Sequence, residues 1–193
     1  TIPIGSIKSN KYIENKKEEI YDLMFISEFR KNEDLKYKNN NDGAAQKNFK
    51  NVITTYLLEI ISNYCKINNK KMVFALSSTR KDKKNKINFQ DLINFFKNIC
   101  GNEINFEKYT NSYDLSTKSK LCICLTSNLG LELLFRHKKI LFLNPDYFVL
   151  KWHFINSIDG DFWYCGYEEK KIFEKIDFLL NIDKKKWEKI LSN

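Results

Sequence analysis

The chain is poor in residues that interrupt regular structure, and it has no long apolar run. Its 193 residues include only six glycines and two prolines, which favours helices and straight strands over a turn-rich all-β sandwich. No apolar stretch approaches the roughly 20 residues that a bilayer-spanning helix needs. The first residues, TIPIGSIKSNKY, include neither an initiator methionine nor the apolar core of a signal peptide. We therefore expect an excised or processed piece of a longer chain.

The patterns of a metal site or a disulfide framework are also missing. Five cysteines are spread along the sequence: Cys65, Cys100, Cys122, Cys124 and Cys165. They form no CxxC pair, and only two histidines accompany them, so the spacing argues against a zinc site. Cys122 and Cys124 alternate along one predicted strand and so share a face, as small core residues do. The odd count, with no framework pattern, favours a reducing cytosol, and we expect no metal site.

The chain does carry an excess of positive charge, with a net charge of +9 and a pI near 9.2. Such a surface suits nucleic acid, an anionic membrane or a phosphate-bearing substrate. The lysines are scattered beside asparagine and isoleucine throughout, as an AT-rich coding bias would produce. The aromatic residues fall mainly at core spacing, and no helix-turn-helix or RNP-like signature is present, so specific binding of nucleic acid is not expected.

Hydrophobic periodicity predicts strands that alternate with helices. Strand-length apolar runs lie at 21–27, 71–78 and 104–109, and two more lie within 121–146 with a helix between them. A charged, Asn-rich loop is predicted through Gly43, and a long amphipathic helix follows at 44–68. A second helix is predicted from a cap at Asn88 to a stop at Gly101, and the last helix begins at Asp183. The segments 111–119 and 160–169 are predicted as a short helix or turn and as a short strand or loop, respectively.

Strands that are continuously apolar are buried on both faces, which indicates a parallel sheet covered by helices on both sides. The order of elements favours an α/β fold, a doubly wound, Rossmann-like sheet of about five or six strands. We expect one domain over residues 1–193, with 1–18 as a hinge or lead-in segment and 183–193 as a C-terminal helix.

Polar segments follow three of the predicted strands. They are Ser27 to Arg30, Ser77 to Arg80, and Thr126 to Gly130. Ligands of open parallel sheets bind at the carboxyl ends of the strands. If the strands are parallel, all three segments lie at one edge of the sheet, and this edge is the predicted binding site.

The third segment is the most specific of the three. Ser127 or Asn128 is expected to cap a helix that begins at about Leu129, whose free N–H groups favour an anion such as phosphate. Gly130 allows close approach of a ligand or of a neighbouring backbone. Glu132 is expected in the first helical turn, where its carboxylate can accept hydrogen bonds from the vicinal hydroxyls of a ribose.

Each of these features also has a purely structural interpretation. A serine or asparagine before a helix and a glutamate near its start are ordinary capping and dipole compensation. Arg80 and Arg30 are candidates for contacts to phosphate or to a sugar carboxylate, but Arg80 also opens a charged run of the kind found in solvated loops. Trp163, beside Phe162, suits either a core position or sugar stacking. Neither GxGxxG nor GxxxxGK[ST] occurs, which disfavours NAD-type and P-loop sites.

The segment LCICLTSNLGLELLFRHKKILFLN resembles the donor-site segment of GT-B-fold sugar transferases that build bacterial surface polysaccharides. In that family a strand is followed by [ST]-x-x-G-x-E, a helix and a second strand. IPIGSIKSN resembles the hinge into the C-terminal half of such enzymes, and YDLMFISEFR is similar to the first strand of that half. GDFWYCG resembles a late segment of O-antigen biosynthesis proteins. The resemblance covers nearly the whole chain.

The resemblance implies roles for the matching positions. Ser127, Asn128 and Gly130 would line the phosphate or sugar pocket, and Glu132 would hold donor hydroxyls. Ser78 and Arg80 would approach the diphosphate. His137 is a departure, because it stands where the family commonly has glycine. Only the donor-binding half is visible, so the catalytic residues are unknown.

The resulting hypothesis is the donor-binding domain of a glycosyltransferase for lipopolysaccharide or capsule, with a nucleotide-sugar as substrate and no cofactor. The expected partners are a glycan or lipid-linked acceptor and a second Rossmann-like half in the same or another chain. The expected location is the cytoplasm, with peripheral contact at the inner face of the membrane. The alternatives are a sugar-nucleotide epimerase or hydrolase of the same architecture, or a non-catalytic binding module.

Overall fold

The computed structural model describes residues 18–27, 41–76, 89–101, 104–107, 110–145, 155 and 157–192. The elements in these ranges are, in chain order, β1 (Tyr21–Ile26), α1 (Asn41–Ile67), β2 (Met72–Ala75), α2 (Phe89–Cys100), α3 (Ser112–Thr117), β3 (Ser119–Cys124), α4 (Asn128–Leu134), β4 (Ile140–Leu143), β5 (Asp159–Gly160), β6 (Trp163–Tyr164), α5 (Glu169–Asn181) and α6 (Lys184–Leu191).

The strands form one sheet in the order β2-β1-β3-β4-β6-β5. All neighbouring strands are parallel except β5 and β6, which form an antiparallel hairpin at one edge. Every residue of β2 and β4 is buried, because helices cover both faces of the sheet. The prediction of a doubly wound, Rossmann-like α/β domain is therefore confirmed, with six strands.

Helices α1, α2 and α5 pack on one face of the sheet. Phe25 and Phe74 are register partners in β1 and β2, and the ring of Phe74 lies 4.8 Å from that of Phe96 in α2. Helix α1 contacts both α2 and α5. Tyr64 of α1 meets the ring of Phe173 of α5 edge-on at 5.2 Å. Together these contacts place the three helices in one layer.

Helix α4 packs on the other face. The nearest heavy atoms to a Cβ built on Gly130 belong to Cys124, Phe142 and Ile140 of β3 and β4. The chain therefore leaves β1 towards one face and β3 towards the other, although these two strands are neighbours. Such a switch point is where ligands of open α/β sheets bind, outside the carboxyl ends of the strands.

Two of the sequence-based predictions differ from the structure. Helix α1 begins at Asn41, so the end of the predicted loop, including Gly43, is helical. The predicted strand at 104–109 is wrong, since its described residues make only an isolated bridge from Asn105 to Val73. The apolar character of this segment reflects side-chain packing, because the ring of Phe106 stacks 5.3 Å from that of Phe74.

Two helix boundaries are confirmed. Gly101 ends α2 with a φ of +89°, and its N–H donates to the carbonyl of Lys97 at 2.8 Å. Asp183 caps α6 by accepting from the N–H of Lys186 at 2.7 Å. Asn88 and nearly all of the predicted hinge at 1–18 lie outside the described residues. In the described ranges, no helix combines the length and the apolar character needed to cross a membrane.

Candidate functional site

The carboxyl edge of the sheet brings together two of the predicted polar segments. Strands β1 and β3 are adjacent and parallel, so buried Ser27 and the loop at Thr126 follow neighbouring strands at the same edge. Strand β2 is parallel to β1 and ends at this edge as well. Ser78 and Arg80, which continue from β2, and Arg30, which follows β1, lie outside the described residues.

Ser127 caps α4, as one of the two predicted alternatives. Its Oγ accepts from the N–H of Leu129 at 3.3 Å, and its carbonyl accepts from the N–H of Gly130 at 2.9 Å. Asn128 is the exposed first residue of the helix. The structural interpretation of Ser127 as a helix cap is thus confirmed. The ligand-binding role of Ser127 and Asn128 remains a prediction.

Gly130 allows α4 to lie close to the sheet. A Cβ on this residue would stand 2.4 Å from Sγ of Cys124, 3.0 Å from Cε1 of Phe142 and 3.2 Å from Cδ1 of Ile140. Real Cβ atoms do not approach sulfur or carbon so closely, and core packing tolerates little added volume. Close helix–sheet packing therefore explains the glycine, and its contact with a ligand remains a prediction.

Glu132 does not lie in the first turn of α4, so that prediction was wrong. The helix begins at Asn128, which makes Glu132 its fifth residue, and no acidic residue lies in the first turn. The helix dipole acts mainly within the terminal turn, so it stabilises this carboxylate little. Oε2 of Glu132 accepts a hydrogen bond from the hydroxyl of Tyr113 in α3. The guanidinium of Arg136 lies over the Tyr113 ring, 5.3 Å from its centre.

His137 stands where the resembled family commonly has glycine, and its backbone has a conformation that favours glycine. Its φ is +59°, in the left-handed region that favours glycine. Its Nδ1 contacts Oε2 of Glu188, and its carbonyl accepts from Nε1 of Trp187 at 2.8 Å. His137 therefore connects the end of α4 to α6.

Lys138 and Lys139, which follow His137 in the sequence, are also engaged in structural contacts, at the amino end of β4. Nζ of Lys138 lies 3.4 Å from Oε1 of Glu19. Nζ of Lys139 donates to the carbonyl of Ile182 at 2.5 Å, at the end of α5. Burial lowers the pKa of the Lys139 ammonium from its usual value. These cations lie at the edge opposite the carboxyl ends of the strands.

Trp163 packs within the β5–β6 hairpin. Its indole N–H donates to the carbonyl of Ser157 at 3.1 Å, and its ring covers Gly160, where a Cβ would come within 2.1 Å. Its neighbour Phe162 is 8% exposed and meets the indole edge-on at 5.0 Å. The core interpretation therefore holds for Phe162, while sugar stacking by half-buried Trp163 remains a prediction.

Asn144 is a residue of this edge that the sequence-based prediction missed. It follows β4 directly, is only 4% exposed, and its side-chain Nδ2 has no hydrogen-bond partner in the described part of the chain. The signal that would have found it is the one used for the other segments, a polar residue at the end of a buried apolar run, here ILFLN.

The described residues contain no group of three or more His, Cys, Asp or Glu side chains that could hold a metal ion. All five cysteines are buried, and none of them forms a disulfide bond. Burial raises the pKa of the Cys65 thiol to about 12 and that of Cys100 to about 11. These thiols are protonated at neutral pH, as core residues, and do not form a nucleophilic site.

The order and direction of the strands define a Rossmann-like α/β domain, and its switch point between β1 and β3 is the candidate ligand site. The chain belongs to the family described as "putative O-antigen biosynthesis protein", whose model matches residues 1–193.

No curated protein matches the chain. Among solved structures, the chain is similar to the Methanocaldococcus jannaschii UDP-GlcNAc 2-epimerase, determined in complex with UDP-GlcNAc and UDP. The identity is 12%, the TM-score is 0.47, and the match covers 93% of this chain and 43% of the epimerase. The chain thus spans less than half the length of that enzyme.

Proposed function

We propose that the chain is the donor-binding half of a GT-B glycosyltransferase, which binds a nucleotide-sugar and transfers its sugar to a surface-glycan acceptor. The observation that carries the proposal is the family match along the whole chain, since the assembly of glycans consumes activated sugars. The parallel sheet, with polar residues where β1, β3 and β4 end, supports a nucleotide-sugar site at the carboxyl edge.

In the proposed reaction, an acceptor hydroxyl attacks the anomeric carbon of the donor, and the nucleotide leaves with the electrons of the broken glycosidic bond. Backbone N–H groups at the carboxyl edge and Arg80 would stabilise the charge that develops on the leaving diphosphate. The second Rossmann-like half, in the same or another chain, would supply the base that accepts the proton of the hydroxyl.

The net charge of +9 supports an anionic donor and peripheral contact with an anionic membrane surface that presents lipid-linked acceptors. In this proposal the domain acts at the cytoplasmic face of that membrane.

The first test is a thermal-shift screen against UDP-, GDP-, CMP- and dTDP-linked sugars. A ligand that binds only the folded state at 100 times its Kd raises stability by about 2.7 kcal/mol. Incubation of the stabilising donor without acceptor then separates the alternatives, because net conversion of the sugar would indicate an epimerase or hydrolase. Salt-sensitive binding of generic DNA or RNA, with no response to any donor, would instead indicate a nucleic-acid-binding module.

The second test is calorimetry with site variants. Glu132→Ala and Arg80→Ala should each weaken binding of the donor found in the screen by about tenfold, because each removes one charged hydrogen-bond partner. Tyr113→Phe is the matched control for Glu132, since it removes the hydroxyl that bonds the carboxylate and leaves the carboxylate itself. Unchanged affinity in both Glu132→Ala and Arg80→Ala would overturn the site assignment.

A further inference from the structure

We propose that Asn144 is a ligand-binding residue whose side-chain amide donates a hydrogen bond to an oxygen of the nucleotide-sugar. The inference rests on the proposed function and adds a residue, with its role, to that site. Asn144 is only 4% exposed, and its Nδ2 has no hydrogen-bond partner among the described residues. A buried donor without an acceptor costs stability, so an acceptor from outside the chain would explain why the asparagine is there.

The strand geometry directs this amide towards the candidate site. The N–H groups of Phe142 and Asn144 donate to the carbonyls of Phe162 and Tyr164, both at 2.9 Å, so the ladder of β4 continues through Asn144. Side chains alternate along a strand, which places Asn144 on the face of Phe142. That face is the one on which Gly130 of α4 packs. The amide therefore lies on the α4 side of the sheet, at the carboxyl end of β4.

Other buried polar side chains of the described residues find their partners within the chain. The hydroxyl of Ser119 donates to the carbonyl of Leu115 at 2.9 Å, and that of Ser62 donates to the carbonyl of Cys100 at 3.1 Å. Asn144 differs from them in having an unpaired N–H group, and it differs in position, since Ser119 lies at the amino end of its strand.

The chemistry of the amide defines the kind of atom that it binds. An uncharged –NH2 group donates to oxygen acceptors, which a nucleotide-sugar offers both on its diphosphate and on its sugar hydroxyls. Comparison of UDP with UDP-GlcNAc separates these two sources. An equal loss of affinity for both ligands places the acceptor on the nucleotide, and a loss confined to UDP-GlcNAc places it on the sugar.

The test combines ligand affinity with the stability of the free protein. Asn144→Leu keeps the approximate volume of the side chain and removes both polar atoms, and Asn144→Ala is a second variant that adds no bulk. Calorimetry of the full chain would use UDP, UDP-GlcNAc, GDP-mannose, CMP-sialic acid and dTDP-glucose, and chemical unfolding would be measured without ligand. Ser119→Ala is the matched control, because it removes a buried hydroxyl that is bonded within the chain.

We expect Asn144→Leu to weaken binding of the recognised probe by about tenfold or more while the free variant is at least as stable as the wild type. Ser119→Ala should show the reverse, with lower stability and unchanged affinity. If the wild type binds a probe and both Asn144 variants bind it equally well, the role of Asn144 is overturned and the proposed function stands. If the wild type binds none of the probes, the proposed function fails and the inference fails with it.

Discussion

His137 and Asn144 are two described residues whose local state is unfavourable for the isolated chain. His137 has a left-handed backbone with a φ of +59°, and Asn144 buries an unpaired Nδ2 among the described residues. A left-handed conformation costs a non-glycine residue about 1–2 kcal/mol. The contact of His137 with Glu188 offsets part of this cost. No described residue provides an acceptor that would offset the cost of the unpaired Nδ2 of Asn144. The first cost therefore has a structural explanation, and the second is the basis of the ligand contact proposed above.

His137→Gly should raise the free energy of unfolding by about 0.5–1 kcal/mol, because relief of the left-handed strain exceeds the worth of an exposed contact to Glu188. Urea unfolding of the variant would measure the change. Glu188→Gln is the control, since it removes the charged partner and leaves the backbone of His137 unchanged. A His137→Gly protein less stable than Glu188→Gln would contradict the strain argument.

At the scale of the elements, α4 is held against β3 and β4 at one point of close approach. Gly130 has no side chain where Cys124, Phe142 and Ile140 meet the helix. Because α4 begins at the carboxyl edge, the depth at which it packs also sets the position of the capped loop at Ser127. The packing of a small residue in the core thus positions the candidate site.

Gly130→Ala should lower the free energy of unfolding by about 1–3 kcal/mol, since the added methyl group overpacks the interface. The closest obstacle is Sγ of Cys124, at 2.4 Å from the built Cβ. Cys124→Ala should therefore restore part of the loss when it is combined with Gly130→Ala. A double-mutant cycle by urea unfolding would measure this coupling, and strictly additive effects would contradict the predicted contact.

At the scale of the whole molecule, the two edges of the sheet differ in how their polar groups are satisfied. At the amino edge, Asp22 accepts from Lys120 Nζ at 2.8 Å and from the N–H of Lys71 at 2.9 Å. Glu107 accepts from Lys118 Nζ at 2.6 Å and from the hydroxyl of Tyr21 at 3.0 Å. These bonds connect the starts of three neighbouring strands. At the carboxyl edge, by contrast, Nδ2 of Asn144 has no hydrogen-bond partner among the described residues.

The amino edge predicts a loss of stability in acid. Burial raises the pKa of Asp22 and of Glu107, but the hydrogen bonds and the charges of Lys120 and Lys118 outweigh it, so both pKa values lie below their usual range. A depressed carboxyl pKa gives stability that is present above the unfolded-state pKa of about 4 and is lost as the pH falls through the folded-state pKa.

The free energy of unfolding should therefore decrease as the pH falls below about 4. Glu107→Gln combined with Asp22→Asn should flatten this decrease, and Lys118→Met should flatten the part that belongs to Glu107. Urea unfolding at a series of pH values would measure the slopes. A double variant with the same pH dependence as the wild type would show that other groups control acid unfolding.

The sequence was sufficient for the elements whose signal is local. The apolar runs that became β1 and β4, the cap at Asp183 and the stop at Gly101 all followed from patterns within a few residues. The prediction of a strand at 104–109 was wrong, because an apolar run does not distinguish a strand from a segment whose side chains pack beside one. The prediction that Glu132 lies in the first helical turn was wrong because it depended on the exact start of α4. The hydrogen bond of Glu132 with Tyr113 could not be predicted, because it joins residues from separate helices.

The sequence by itself determined the class of fold, because continuously apolar strands must be buried on both faces and the helices between them must cover those faces. It also located the polar loop at Ser127, since capping is a local interaction. Only the tertiary structure decided that β1 and β3 are neighbours, that Gly130 meets Cys124, and that Nδ2 of Asn144 is buried without a partner among the described residues. These facts depend on contacts between distant segments, which no local pattern encodes.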